Sequence, residues 1–364
     1  MSTLALRDYA LITGGAGFIG TNLAERLLED GQTVVVLDDF SRPGVERNAR
    51  YLAELGEGRL AIVRGDCRNH ETTQELVRSA REVYHFAAQV AVTTSLTDPL
   101  RDFDVNLRGT LSVLEAARRS ERCPPVVFTS TNKVYGALTD LPLEVSGLRY
   151  LPAEGPFGID ERRPLDFHSP YGCSKGAADQ YVLDYARSYG LRSVVFRMSC
   201  IYGPHQCGNE DQGWVAHFML RALTGEPITI YGDGRQVRDV LFVSDLVDAL
   251  LRARDRADEL AGQAFNLGGG YPNSLSLLEL LERIEEFSGA KPALSFGETR
   301  RGDQRYFVTD TSKARRALGW EPRVPLEQGL GRLYTWLATR AAQREREACA
   351  SSPLRVRADA SRIV

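Results

Sequence analysis

The strongest constraint on this chain sits close to its N-terminus. Tyr9-Ala10-Leu11-Ile12-Thr13 is an apolar run of strand length. It leads directly into Gly14-Gly15-Ala16-Gly17-Phe18-Ile19-Gly20, and the spacing from Thr21 to Glu29 is helical. A strand feeding a glycine-rich turn that opens a helix is the first half of a βαβ unit, and it is built to hold a dinucleotide. Gly14, Gly17 and Gly20 let the backbone approach a pyrophosphate, and the helix N-terminus faces its charge. A glycine triplet alone says little; the strand–turn–helix context gives it meaning. Phe18 and Ile19 belong to the same predicted contact surface.

A second strand, Thr33–Leu37, ends at Asp38-Asp39. An acidic residue about 20 positions beyond the glycine turn accepts hydrogen bonds from an adenosine ribose. It would repel a 2′-phosphate, which favours NAD over NADP. Ser41 and Arg42 follow closely, and Arg42 keeps NADP open. Further strand-like runs at 61–63, 83–86, 126–128 and 193–196 alternate with helical stretches such as 74–80 and 110–120. This alternation predicts an α/β fold, a Rossmann-type doubly wound parallel sheet. Ligands of such sheets sit at the carboxyl ends of the strands, where the glycine turn, Asp38, Gln89 and Thr131 all fall.

The run 167–181 contains Tyr171-x-x-x-Lys175 and opens like a helix. Ser169 suits the N-cap, Pro170 the first helical position and Gly190 the C′ position. Tyr171 and Lys175 then stand one turn apart on one face. A cation so placed is expected to favour the phenolate, which accepts a proton from a sugar or alcohol hydroxyl near neutral pH.

Taken in order, these motifs resemble the extended short-chain dehydrogenase/reductase family, in its nucleotide-sugar-modifying branch, over residues 7 to 335. Thr13 to Gly20 is similar to its N-terminal motif. Gly65-Asp66 resembles its adenine-binding aspartate, with Cys67 beside it. Phe86-Ala87-Ala88-Gln89 resembles the loop over the NAD, and Asn106 lies in a run similar to the family's D-x-N-x-x-G-T helix. Phe128 to Gly136 resembles the strand carrying the third catalytic hydroxyl, here Thr131. Arg197 to Pro204, Arg238-Asp239, Asn266-Leu267-Gly268 and Leu318-Gly319-Trp320 resemble the remaining motifs.

The resemblance implies a catalytic triad of Thr131, Tyr171 and Lys175. It places Thr129 and Met198 with the cofactor residues. It assigns Gln89, Thr131, Asn132, Lys133, Cys200, Gln212, Gly213, Arg235, Arg238, Arg301 and Asp303 to a nucleotide-diphosphate sugar. Family members usually carry Asn where this chain has Cys200. The implied reaction is inversion at C2 of a nucleotide-linked hexose. Tyr171 removes the hydroxyl proton, and the carbon is oxidised and reduced again with no net redox change. Inversion at C4 and net oxidoreduction are the alternatives. The dehydratases of the family carry Asp then Glu directly after the threonine, and its decarboxylases carry Glu at the second of those positions. Asn132 and Lys133 stand there instead, which argues against both reactions. A homodimer or homotetramer, formed through helices near 110–120 and 171–189, is also implied.

Two lobes are expected. Residues 1–198 plus 237–265 form the NAD-binding lobe, and 199–236 plus 266–335 form a smaller C-terminal substrate-binding lobe. Residues 336–364 form a charged tail, and 137–168 a loop over the active site. A net charge of −3 gives no case for nucleic acid or an anionic membrane. No apolar run reaches membrane-spanning length and no signal peptide is evident. The six cysteines include no C-x-x-C pair and the five histidines no metal-ligand spacing, so no metal is expected. Scattered thiols fit the cytoplasm.

Overall fold

A computed structural model describes residues 6–154, 157–300 and 302–350, with side chains as far as residue 342. The centre is a seven-stranded sheet, every neighbouring pair parallel. Its first five strands in sequence are β1 (Tyr9–Thr13), β2 (Val34–Asp38), β3 (Leu60–Arg64), β4 (Ala80–His85) and β5 (Val126–Thr131). The spatial order from one edge is Gln263–Leu267, Ser193–Met198, β5, β4, β1, β2, β3. β1 and β2 are buried along their whole length, as strands covered on both faces must be. Alternation divides their side chains. Ala10, Ile12, Val34 and Val36 enter one apolar cluster, and Tyr9, Leu11, Val35 and Leu37 enter the other. The doubly wound sheet is therefore as expected. Its order reverses at β1, between β2 and β4, and the crevice above that point is where a dinucleotide belongs.

The first helix, α1, spans Phe18–Glu29 and starts at the glycine turn. The helix carrying Tyr171 spans Ser169–Tyr189. Ser169 has a left-handed φ of 63°, and its hydroxyl accepts the Gly172 N–H at 3.2 Å, so it performs the capping contact. Gly190, at φ 69°, ends the helix as its position predicts. Val243–Asp255 returns to the sheet and packs Leu246, Val247 and Leu250 against it.

A third apolar cluster lies apart from the sheet. It gathers Tyr202, Val215, Met219, Ile228, Val240, Leu280, Ile284 and Leu333. Around it, Val237–Phe242 pairs with Cys200–Tyr202, Ser274–Ser276 and Tyr306–Phe307.

The stretch 137–168 is not the plain loop that its composition suggests. Leu143–Ser146 and Arg149–Pro152 form an antiparallel hairpin, with Gly147 at φ 60° in the turn. Arg149 ties this hairpin to Glu279 (2.7 and 2.6 Å) and to the Ser274 carbonyl (2.9 Å). The hairpin thus covers strands around the third cluster. Strands of four residues flanked by charges carry too little apolar alternation to stand out in sequence. Among the described residues, no helix is long and apolar enough to cross a membrane.

Candidate active site

The glycines of the turn serve different ends. A Cβ on Gly14 (φ 68°) would lie 2.7 Å from the Ala87 nitrogen, and one on Gly20 would lie 2.5 Å from Gly15 Cα. These two permit close backbone packing. A Cβ on Gly17 would meet only the Gly14 carbonyl, at 3.1 Å, and would otherwise fill the space in front of α1. Gly17 caps α1 without a side-chain hydrogen bond, so donors of the first turn are left for an anion. The cradle fits a dinucleotide pyrophosphate.

Asp38 is drawn onto this turn. Its carboxylate accepts N–H bonds from Ala16 (3.0 Å) and Phe40 (2.9 Å). Burial pushes its pKa up and the two amides pull it back. Asp39 accepts the Ser41 N–H at 2.9 Å. Arg42 is close enough to Asp38 to interact with it electrostatically, although burial opposes its charge. At the end of β3, Asp66 is held by Arg68 (2.5 Å), which keeps the carboxyl below its usual range despite partial burial. Cys67 is buried in the core, and its thiol is pushed up to about 12 by burial, so its side chain offers nothing to a ligand.

The loop after β4 is fixed from behind. The Phe86 N–H donates to the Thr13 carbonyl at 3.0 Å. Asn106, on a π-helical turn (Asp104–Arg108), accepts the Gln89 N–H at 2.8 Å. The Gln89 side chain bonds Asp102 and Ala91, each at 2.8 Å. Asn106 and Gln89, expected to touch cofactor, are therefore engaged in holding Phe86-Ala87-Ala88-Gln89 in place.

The reactive groups converge at the end of β5. Thr131 accepts the Lys133 N–H at 3.2 Å and lies 3.4 Å from Asn132 Oδ1. Met198, its register partner on the next strand, packs against the sheet cluster. Tyr171 is buried, and burial pushes its phenol up to about 12, against a hydrogen bond with Thr131 that lowers it. Lys175 donates to the Thr129 carbonyl at 2.6 Å and lies 4.1 Å from the centre of the Phe128 ring. Burial brings Lys175 down to about 7, while Asp179 and Asp102 hold it up. The expectation that Lys175 lowers the Tyr171 pKa is corrected here. Its ammonium is turned to a carbonyl, and burial penalises both charges.

The Lys133 ammonium reaches the Gly302 carbonyl (3.3 Å) and Asp303 (3.4 Å), and Arg238 bonds the same Asp303 oxygen at 2.6 Å. Burial lowers Lys133, and Asp303 opposes that. Gln304 bonds the Gly136 carbonyl (2.7 Å) and Asn132 (3.3 Å), which seats the 302–304 segment against the end of β5. Cys200 accepts the Trp214 indole N–H at 3.4 Å, and burial raises its thiol pKa, which suits a packing residue. Gly213, at φ 74°, caps the Trp214–Leu223 helix, and Gln212 pairs its backbone with Asn209. Arg235 bonds the Gly147 carbonyl at 3.5 Å, and its N–H donates to Asp233. It is thus tied to the hairpin turn. Arg301 lies outside the described residues. Asp102, Ser174 and Gln304 were missed by sequence reasoning. The only local signal was Asp102 standing four residues before Asn106, on one face of a helical segment.

The NAD dependent epimerase/dehydratase family matches residues 10–268. CDP-paratose 2-epimerase of Salmonella typhi is 43% identical over 336 residues, which is 90% of this chain and 99% of that protein. The solved UDP-glucose 4-epimerase of Thermotoga maritima, with UDP-glucose, has a TM-score of 0.78 at 31% identity and covers 92% of this chain and 99% of its own. UDP-glucuronic acid 4-epimerase from Bacillus cereus, in complex with UDP-glucuronic acid and NAD, has a TM-score of 0.78 at 28% identity, covering 91% and 99%. The glycine cradle, the Asp38 contact and the Thr131–Tyr171–Lys175 constellation agree with these likenesses: the chain belongs to the NAD dependent epimerase/dehydratase family.

Proposed function

We propose that this enzyme inverts C2 of a nucleotide-diphosphate hexose, with CDP-paratose as the leading substrate. The observation that carries the reading is the gathering of Tyr171, Thr131 and Lys175 at the end of β5, with Asn132 and Lys133 rather than two acidic residues beside them. The 43% identity to a CDP-paratose 2-epimerase supports the substrate. The likeness to solved 4-epimerases favours one second reading, inversion at C4 by the same groups.

NAD supplies reversible two-electron oxidation when bound. Gly14, Gly17 and Gly20 with the start of α1 would hold its pyrophosphate, and Asp38 its adenosine ribose. Tyr171 Oη takes the proton of the C2 hydroxyl as the C2–H bond breaks, and returns it after the keto sugar presents its other face. Thr131 Oγ1 bonds the same sugar oxygen and keeps it within reach of Tyr171. Lys175, brought down to about 7 by burial, carries a positive charge for part of the enzyme near neutral pH. Arg238 serves the diphosphate, and Lys133 serves a sugar hydroxyl, each drawing on the shared Asp303. Residues 1–198 plus 237–265 would then bind NAD, and 199–236 plus 266–335 the nucleotide sugar. Cys67, Cys123, Cys173, Cys200 and Cys207 are free thiols, which supports a reducing cytoplasm.

The test is proton NMR of CDP-paratose turnover in deuterated water without added NAD. An inverted carbon 2 that keeps its proton is expected. Inversion at carbon 4 of a UDP- or GDP-hexose alone would move the reading to C4. Deuterium at the inverted carbon would sink internal oxidation and reduction altogether.

The exposed Leu96, Leu100, Phe103, Tyr181 and Tyr189 lie on the segments before Asn106 and on the Tyr171 helix. They support a homodimer through these helices. Sedimentation should give a dimer, and Leu100→Arg should shift it toward monomer; a monomeric parent protein would refute the interface.

A further inference from the structure

One buried carboxylate at the site takes no part in the chemistry above. Asp102, on the short helix Pro99–Phe103, has no solvent exposure. Its Oδ1 accepts from Gln89 (2.8 Å) and Asn106 (3.2 Å), and its Oδ2 from the Ser174 hydroxyl (2.5 Å). All three donors are neutral. Burying a carboxylate without a cation is costly, and an apolar residue could fill a helix interior without that penalty. The three donors tie together the loop over the cofactor, the π-helical turn and the residue next to Lys175.

The charges facing Lys175 are few. Asp179 lies one turn further along the same helix, and its carboxylate also binds Arg197 of the neighbouring strand through two bonds of 2.9 Å. His85 on β4 is fully buried between Thr13 and Thr110, and burial holds it neutral, down to about 3. Tyr171 is the proton partner itself. Asp179 and Asp102 are the carboxylates that hold Lys175 up, and among the described residues Asp102, unlike Asp179, forms no salt bridge of its own.

We propose that Asp102 is a positioning residue for the reaction: it fixes the Gln89 loop against the Tyr171 helix, and its charge favours the protonated form of Lys175. The proposal rests on the functional reading above for its purpose, but not for its test. Lys175 sits at about 7 and Tyr171 at about 12, so between those values the pair holds one proton, and at rest it lies on the phenol. Catalysis needs that proton on the amine, with the phenol ionised. The Asp102 charge bears on both groups: it favours the ammonium of Lys175 and also holds the Tyr171 phenol up.

Asp102→Asn separates charge from geometry. The amide oxygen still accepts from Gln89 and Asn106. The new NH₂ donates to Ser174, whose own proton can turn to the Tyr171 carbonyl, 3.2 Å away. The chain has only four lysines, at 133, 175, 291 and 313. Lysine-selective ¹³Cε NMR of the NAD-loaded enzyme can therefore follow Lys175 directly, with Lys175→Arg assigning its signal. The expected result is a Lys175 midpoint lower by about 0.5–1 pH unit in Asp102→Asn, with the lysines at 291 and 313 unmoved. With substrate, kcat at neutral pH should fall about tenfold at unchanged melting temperature. An unmoved Lys175 midpoint overturns the proposal, whichever sugar is turned over. A shifted midpoint in an enzyme inactive on every nucleotide hexose would sustain the proposal and refute only the epimerase reading.

Discussion

Replacing Tyr171 by phenylalanine is expected to lower kcat by about 10²–10⁴-fold, the range for losing a positioned general acid–base group. The protein should keep its NAD and melt within a degree or two of the parent. The separation of these effects follows from the environment of the ring. Tyr171 is 7% exposed, and its packing is that of an aromatic body which phenylalanine reproduces. Only the phenol oxygen is lost, and with it the hydrogen bond to Thr131 and the carrier of the sugar proton. KM should change little, because the hydroxyl acts where the proton moves rather than in holding the nucleotide. Thr131→Val should cost less, because Tyr171 would still be present to exchange the proton. The measurement is steady-state turnover beside bound-NAD content and thermal melting. A Tyr171→Phe enzyme with kcat within about fivefold of the parent would show that another group moves the proton.

What could be read in advance depended on how local each signal was. β1, the glycine turn and Asp38 lie within one βαβ unit, and strand length, glycine spacing and the acidic residue each obey a local rule. The helix from Ser169 to Gly190 was legible for the same reason: both ends carry residues whose backbone chemistry terminates helices. The group that orders the site is not local. Ser174 is 72 positions from Asp102, and Lys133 is 170 from Asp303, so their meeting exists only after the sheet closes. Nothing in the Asp102 neighbourhood marks a buried carboxylate, since aspartate in a charged helical run usually faces water. The expected phenolate at Tyr171 does not follow from the spacing, because spacing reports distance and not desolvation. Two groups one turn apart in water would favour the ion pair, whereas burial of both reverses the order.

The largest stability effect is expected at Asp179. Its carboxylate is wholly buried and binds Arg197, itself 6% exposed at the side chain, through two bonds of 2.9 Å. The network extends outward from there. Arg197 donates to the Tyr135 hydroxyl (3.2 Å), and Tyr135 donates to Asn266 Oδ1 (2.7 Å), which joins the Tyr171 helix to two neighbouring sheet strands and the end of β5. Asp179→Asn removes the charge but keeps the volume, so it leaves a buried guanidinium uncompensated. The expected cost is about 3–5 kcal/mol, which for a chain of this length is a fall of about 5 °C in Tm. Asp179→Leu with Arg197→Met removes both charges and should recover most of that loss, since an apolar pair of similar volume pays no desolvation. Activity should not recover with it. Asp179 lies one turn from Lys175 and holds its pKa up, so the double variant is expected to be stable yet slow near neutral pH. If Asp179→Asn melted within a degree of the parent, the pair would not be the tie between helix and sheet. If the double variant regained both Tm and kcat, Lys175 would take its charge from Asp102 alone.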